Sequence, residues 1–272
     1  MEYLIKNRLS QGYNDIVTAE CDTLNYIELA IVNLGLNEGY EEELEGRELV
    51  GVILSGKCSV RTNRDDANWA EIGERKSVFD GKATGFYLPA GTEFALESNR
   101  GASVALCRAP SQLNSKPFLV PPGRVRTKTV GRHNWRRKVH SIIDGRHNCN
   151  HLLVGETMTP PGNWSSYPPH KHDIDDPPRE VNMEEVYHFR VSPQKGFGVQ
   201  RLYDDERTLD EIYVINDGDT VLIPNGYHPV AAAPGHRLYY LWILAGASRE
   251  LAPRDDPDMA WLKNCEPIID NI

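Results

Sequence analysis

Residues 222–233 read LIPNGYHPVAAA, and residues 87–98 read YLPAGTEFALES. Each is an apolar run, a Pro-x-Gly turn and a second run, with another apolar segment following at 238–244 and 102–107. Proline presets one turn dihedral and glycine supplies the left-handed one, so both stretches read as corners between strands. The echo between them points to one β unit used twice, head to tail.

Outward from these corners, strand-like runs recur at 25–33, 48–53, 57–62, 85–89, 92–97 and 102–107. They resume at 124–130, 137–143, 151–157, 184–191, 196–203, 211–215, 219–223 and 237–245. The proline-bearing stretch 109–123 between the two series reads as a linker. Many short strands at this spacing predict an all-β fold rather than βαβ units. The expected architecture is two tandem β-barrels, residues 1–120 and 121–272. The tail from 250 accommodates one short helix, with Trp261 and Leu262 packed on the body.

Composition narrows the partners. The chain has 272 residues, is 40% hydrophobic and 25% charged, and carries a formal net charge of −9. Such a balance gives no support for a nucleic-acid partner, which would require a basic footprint. An acidic substrate must therefore find local arginines. No window reaches the length of a membrane span, and the N-terminal stretch has no apolar signal core, so a cytoplasmic protein is expected. Cys21, Cys58, Cys107, Cys149 and Cys265 are scattered without a short repeat, which favours reduced thiols over a disulfide framework.

The chemistry concentrates in the second half. In a strand, His170 and His172 share a face while Lys171 points away. Glu184 and Glu185 open an alternating strand and face opposite ways, and the residues alone leave open which one looks inward. His228 follows the Pro224-Asn225-Gly226 turn. Three imidazoles and a carboxylate suit a borderline divalent ion, and open coordination positions would make the site catalytic.

Further side chains join the candidates. Tyr187 shares a face with Glu185, whereas His188 falls on the other face and is left out as a ligand. Arg201 and Tyr203 share a face and offer donors for a carboxylate. Lys171 and Asp173 lie beside the histidines and read as a solvated charge pair, or as acid or base if the chain turns after His172, and Tyr167 reads as a wall residue. Tyr240 and Trp242 share a face and read as core. The matching corner of the first half carries Thr92 and Glu93 with no His-x-His upstream, so that half reads as structural. Arg75 and Arg132 remain able to serve the site from across the interface between halves.

Several blocks carry a family resemblance. Residues 162–173 (GNWSSYPPHKHD), Glu184-Glu185-Val186-Tyr187, 196–203 (GFGVQRLY), 226–230 (GYHPV) and 238–242 (LYYLW) occur in an order that closely resembles the 5-deoxy-glucuronate isomerase family of bacterial inositol catabolism. The first half is similar more loosely, through Ser77-Val78-Phe79, Tyr87-Leu88-Pro89 and Ala109-Pro110. The related 4-deoxy-5-threo-hexosulose-uronate ketol-isomerases look similar around the site. The resemblance implies a bicupin, two tandem jelly-roll barrels, with His170, His172, Glu185 and His228 as ligands. It thereby favours Glu185 over Glu184. The insert from Ile174 to Asn182 departs from the ketol-isomerases and puts substrate contacts in doubt.

The implied reaction converts 5-deoxy-glucuronate, an aldose acid, into 2-deoxy-5-keto-gluconate, a ketose acid. Zinc is the first choice of cofactor, with manganese or iron as alternatives. A divalent ion would stabilise charge as the C–H proton leaves, and a general base must move that proton. Tyr187, Lys171 or a hydroxide on the metal stand open for the base, and Arg201 for the substrate carboxylate. A hydride shift would use the same ligands. The expected partner is a small sugar acid, and exposed β edges allow a homo-oligomer. Another metal-cupin enzyme, such as a uronate ketol-isomerase or an iron oxygenase, and a non-catalytic sugar-binding cupin are the alternative readings.

Overall fold

The computed structural model describes residues 3–6 and 9–269. Short alternating segments do form strands throughout, and the one α-helix among the described residues is Trp261–Ile269. Leu262 on that helix is half-buried, whereas Trp261 is exposed and does not pack as expected. None of the described helices is long and apolar enough to cross a membrane. All five cysteines are free.

A seven-stranded sheet runs Leu4–Ile5, Thr220–Ile223, Glu184–Ser192, Arg237–Ala245, Leu153–Thr159, Arg137–Ile143 and Arg126–Val130. A six-stranded sheet runs Phe118–Val120, Thr84–Leu88, Arg47–Gly56, Ala102–Pro110, Glu28–Leu34 and Gly12–Val17. Every pairing is antiparallel. From Thr84–Leu88 and from Thr220–Ile223 onward, the next four strands of each sheet follow the same connectivity, which bears out the repeat seen in the two corners.

Register makes the equivalence residue by residue. Leu49 pairs with Leu88 just before the first corner, and Glu185 pairs with Ile223 just before the second. Leu49 therefore stands where Glu185 stands in the other half, and Glu48 stands where Glu184 stands. Counting on through the corners, Glu93 occupies the place of His228. The first half lacks two of the three buried ligands described below.

Three apolar layers hold four sheets in a stack. Val32, Ile53, Phe86 and Leu106 of the six-stranded sheet pack on Val60, Phe94 and Leu96 of one four-stranded sheet. Val50, Val52 and Cys107 pack on Val154, Val186 and Ile243, joining the two large sheets face to face. Tyr187, Phe189 and Leu244 pack on Leu202, Ile215 and Val230 of the other four-stranded sheet, which runs Trp164–Ser165, Val230–Ala232, Gly198–Tyr203 and Asp210–Ile215. Alternate residues of each large sheet thus face two different cores.

The closed barrels expected of a bicupin are absent. Closure requires the outermost strands of a sheet to pair with each other. In the seven-stranded sheet those are Leu4–Ile5 and Arg126–Val130, and they bond only to Thr220–Ile223 and Arg137–Ile143. The sheets stay open and stack because each large sheet is apolar on both faces, so each needs a partner layer on both sides. Closing it around a single interior would leave one of those faces in water.

Some strands escaped the sequence reading. Glu38–Glu43 (EGYEEE) is acidic and half-exposed along its length, yet pairs with Glu93–Ser98. Its place is set by the partner strand rather than by its own propensity. Phe118–Val120 likewise lies inside the expected linker and pairs with Thr84–Leu88.

Candidate metal centre

Glu184–Ser192 is a regular strand, so neighbouring carboxylates part company. Glu185 and Tyr187 turn toward the four-stranded sheet, while Val186 turns toward the first half. Glu184 shares the Val186 side and accepts the backbone N–H groups of Asn25, Tyr26 and Ile27 at 2.6, 2.8 and 2.7 Å. It has no part in ligation. The His228 turn needs Gly226, which sits at φ +85° where a Cβ would come 2.7 Å from the Tyr203 carbonyl oxygen.

His172, Glu185 and His228 converge, with one donor atom from each lying within 4.8 Å of the others. All three are buried. Both imidazole Nε2 atoms lie 3.2 Å from Glu185 Oε2. The other ring nitrogens are committed: His172 Nδ1–H donates to the Met183 carbonyl at 2.6 Å and His228 Nδ1–H to the Gly226 carbonyl at 2.9 Å. With the rings neutral, each Nε2 therefore aims a lone pair at a carboxylate oxygen, and His228 Nε2 has no hydrogen-bond partner although buried. Such an arrangement repels itself unless a cation sits among the three atoms. The residues fit a divalent metal ion.

Electrostatics agree. Burial alone would raise the Glu185 carboxyl, but the hydrogen bond from His172 and the charges of His228 and His172 outweigh it and hold the pKa at about 2. Burial opposes a charge on His172, but the bond to Glu185 and its charge overcome that and raise the imidazole. His170 is pushed well below the ordinary range, first by burial and then by His228 and His172. It is a neutral imidazole beside the cluster, its ring centroid 4.8 Å from that of His228 and 6.3 Å from that of His172.

The cluster opens into a cavity of about 320 Å³ whose wall includes His170, Tyr187, Tyr240, Trp242, Ser166 and Arg137. Tyr187 is bonded to Ser166 Oγ at 2.9 Å and stacked on Tyr240 with centroids 4.3 Å apart. Burial, followed by the nearby Glu185 charge, lifts its phenol well above the ordinary value. Ser166 holds a left-handed φ of +47°, an unusual backbone for a side-chain-bearing residue. Trp242 lies over Gly155, where a Cβ would meet the indole at 2.1 Å.

The remaining sequence candidates lie elsewhere. Lys171 is buried against Asp173 at 2.5 Å, Asp205 at 3.2 Å and Glu180 at 3.7 Å. Burial lowers its pKa, but these carboxylates outweigh that and raise it, so it is a held cation rather than an available base. Asp173 in turn accepts the Gly226 N–H at 2.9 Å, tying the His172 segment to the His228 turn. Arg201 is spent on Asp210 through two bonds of 2.6 and 2.7 Å and lies over the Tyr203 ring. It does not border the cavity. Arg75 is buried in an ion pair with Glu156 at 2.5 Å, between the large sheets. His188, left out as a ligand, bonds Thr220 Oγ1 at 3.0 Å, and burial drops its pKa to about 3.

Comparison with known proteins adds the lineage. Residues 3–262 match the KduI/IolB family. The chain belongs to the KduI/IolB family. Among KduI/IolB relatives, the 5-deoxy-glucuronate isomerase of Geobacillus kaustophilus is 39% identical over 248 residues, covering 90% of this chain and 89% of that protein. The 5-deoxy-glucuronate isomerase of Bacillus subtilis strain 168 is 35% identical over 271 residues, covering 96% and 99%. The crystal structure of an IolB-like protein from Salmonella typhimurium LT2 matches with a TM-score of 0.93 at 31% identity, over 97% of this chain and 100% of that one. A Bacillus subtilis oxalate decarboxylase variant reaches a TM-score of 0.64 at 12% identity, over 93% of this chain and 79% of that one, a likeness of fold alone.

Sequence reasoning missed Arg137, Lys128 and Ser166; Tyr240 and Trp242 are core residues as expected, and they also line the cavity. The only local signal for Arg137 was its place at the head of the 137–143 strand, sharing a face with Val139.

Proposed function

We propose that the protein is a metal-dependent aldose–ketose isomerase that converts 5-deoxy-D-glucuronate to 2-deoxy-5-keto-D-gluconate. The observation that carries this reading is the buried His172–Glu185–His228 cluster, with lone pairs converging in a cavity of a KduI/IolB chain. In this reading His170 completes the ligand set from its place beside His228. Zinc suits three imidazoles and a carboxylate, with manganese or iron next.

When bound, the ion would supply Lewis-acid stabilisation of the charge that develops on oxygen as the substrate rearranges. The chain's own residues do the rest. Tyr187 keeps its proton, so it donates to the substrate's carbonyl oxygen and recovers a proton from the neighbouring hydroxyl that becomes the ketose carbonyl, while Ser166 Oγ at 2.9 Å holds the phenol in place. Tyr240 and Trp242 form the apolar wall that limits water around the reacting carbons.

Incubating metal-loaded protein with 5-deoxy-glucuronate in deuterated water, followed by NMR, tests the reading. Ketose formed by the wild type and not by His228→Ala is expected. Deuterium beside the new carbonyl reports proton transfer through an exchanging base, and its absence a hydride shift or a proton shielded from solvent. Folded, metal-loaded protein that makes no ketose would overturn the assignment.

A further inference from the structure

We infer that Arg137, assisted by Lys128, is the subsite that receives the carboxylate of a sugar-acid substrate; the choice of substrate class rests on the isomerase reading above. The seven-stranded sheet places both on the face that carries the metal centre. Antiparallel partners share a face, and the pairs Arg137–Val130, Lys128–Val139, Val139–Thr157, Thr157–Tyr240 and Tyr187–Trp242 link these residues across five adjacent strands. Arg137 and Lys128 border the same cavity as His170, Glu185 and Tyr187.

Arg137 is anchored at one nitrogen only. Nη1 donates to the Tyr167 carbonyl at 2.8 Å and to the Trp135 carbonyl at 3.3 Å. No carboxylate of the described residues lies within ion-pair distance of it. Arg75 is paired with Glu156, Arg108 with Glu42 and Arg190 with Asp217, and the partly buried Arg249 spends three nitrogens on backbone carbonyls of Leu152, His147, Cys149 and Asp144. A partly buried guanidinium without a counter-ion is costly, and a planar carboxylate supplies the missing partner in its preferred forked geometry. Burial indeed pulls the Arg137 pKa down.

The geometry also orients the substrate. The cation site and Arg137 border one cavity, so an open-chain acid lies with its carbonyl toward the ligands and its carboxylate toward the arginine. Tyr167, which holds Arg137, belongs to the loop that delivers His170, so carboxylate binding and ligand placement share a support.

The test uses full-length, metal-loaded wild type, Arg137→Gln, Arg137→Lys and Lys128→Ala, with 5-deoxy-glucuronate and its uncharged counterpart 5-deoxy-glucose. Calorimetric binding of D-gluconate, which has no carbonyl to isomerise, gives a readout apart from activity. For Arg137→Gln the expected result is a loss in kcat/KM for the acid of about 10- to 100-fold, mostly in KM, with the neutral sugar changed by less than about twofold. Gluconate affinity falls by a similar factor while metal content stays at the wild-type level. Arg137→Lys keeps the fold and the charge but loses the fork, and Lys128→Ala has the smallest effect.

An Arg137→Gln enzyme that retains its preference for the acid would overturn the inference. So would equal losses on acid and neutral sugar, or wild type that binds no gluconate. Should wild type bind gluconate yet not isomerise 5-deoxy-glucuronate, the isomerase reading falls, and the gluconate titrations of the variants still decide the subsite.

Discussion

Glu48 and Glu184 occupy equivalent positions in the two halves, and each carboxylate caps a loop of the other half. Glu48 accepts the N–H groups of Asn150, His151 and Leu152 at 2.6, 2.7 and 3.0 Å. Glu184 does the same for Asn25, Tyr26 and Ile27. Both are buried. The halves are thus clamped reciprocally by two buried acidic side chains, each accepting three backbone N–H groups. Removing either leaves three donors unsatisfied, and Glu184→Ala is expected to destabilise the fold by about 3 kcal/mol, read from urea unfolding. A loss below about 0.5 kcal/mol would show that the clamp is not structural.

Glu185→Gln tests the opposite face of the same strand. The amide keeps the shape but removes the charge that balances a dication, so metal affinity should drop by at least about 100-fold in a chelator competition. Folded Glu184→Gln should retain metal at the wild-type level. Equal metal loss in both variants would mean that the cluster responds to strand damage rather than to ligand charge.

Tyr187→Phe keeps the stacking on Tyr240 and removes the O–H that meets Ser166. Turnover is expected to fall by about 100-fold or more with metal content unchanged, as for loss of a proton donor. Turnover within about threefold of wild type would remove Tyr187 from the proton path.

Metal uptake should depend on pH with a definite sign. Without metal, the His172 imidazole is raised above the ordinary value of 6.5 by Glu185. Its proton contributes stability that is fully present below that ordinary value and is lost as pH rises through the raised one. Metal must displace this proton, so the rise in Tm on adding zinc should grow from pH 6 toward pH 8.5, with proton release on binding. A Tm shift that is flat across this range would argue against His172 as a ligand.

Asp173 positions ligands without touching the cluster. It holds Lys171 and the Gly226 N–H, and so joins the two ligand-bearing segments. Asp173→Ala should lower metal affinity by about 10- to 100-fold with every ligand present. Unchanged affinity would show that the segments are held by backbone bonds alone.

The sequence by itself determined what short range controls. Alternation made strands of 184–191 and 237–245, the two Pro-x-Gly corners announced the repeat, and residue types marked His170, His172 and His228 as candidate metal donors, of which His172 and His228 converge on Glu185. The tertiary structure alone decided which partners those elements meet. Lys171 lies between two histidines in sequence, and its charge is held by its neighbour Asp173 and also by Asp205 and Glu180, residues brought in from separate segments. Arg201 is bonded to Asp210 on the adjoining strand and does not border the cavity, while Arg137, without any motif, does. Sheet closure likewise depends on whether outermost strands meet, which twist and the packing of both faces set over the whole sheet. Local pattern fixes the face on which a side chain stands; only the assembled layers fix what stands opposite, because those contacts join strands far apart in the chain.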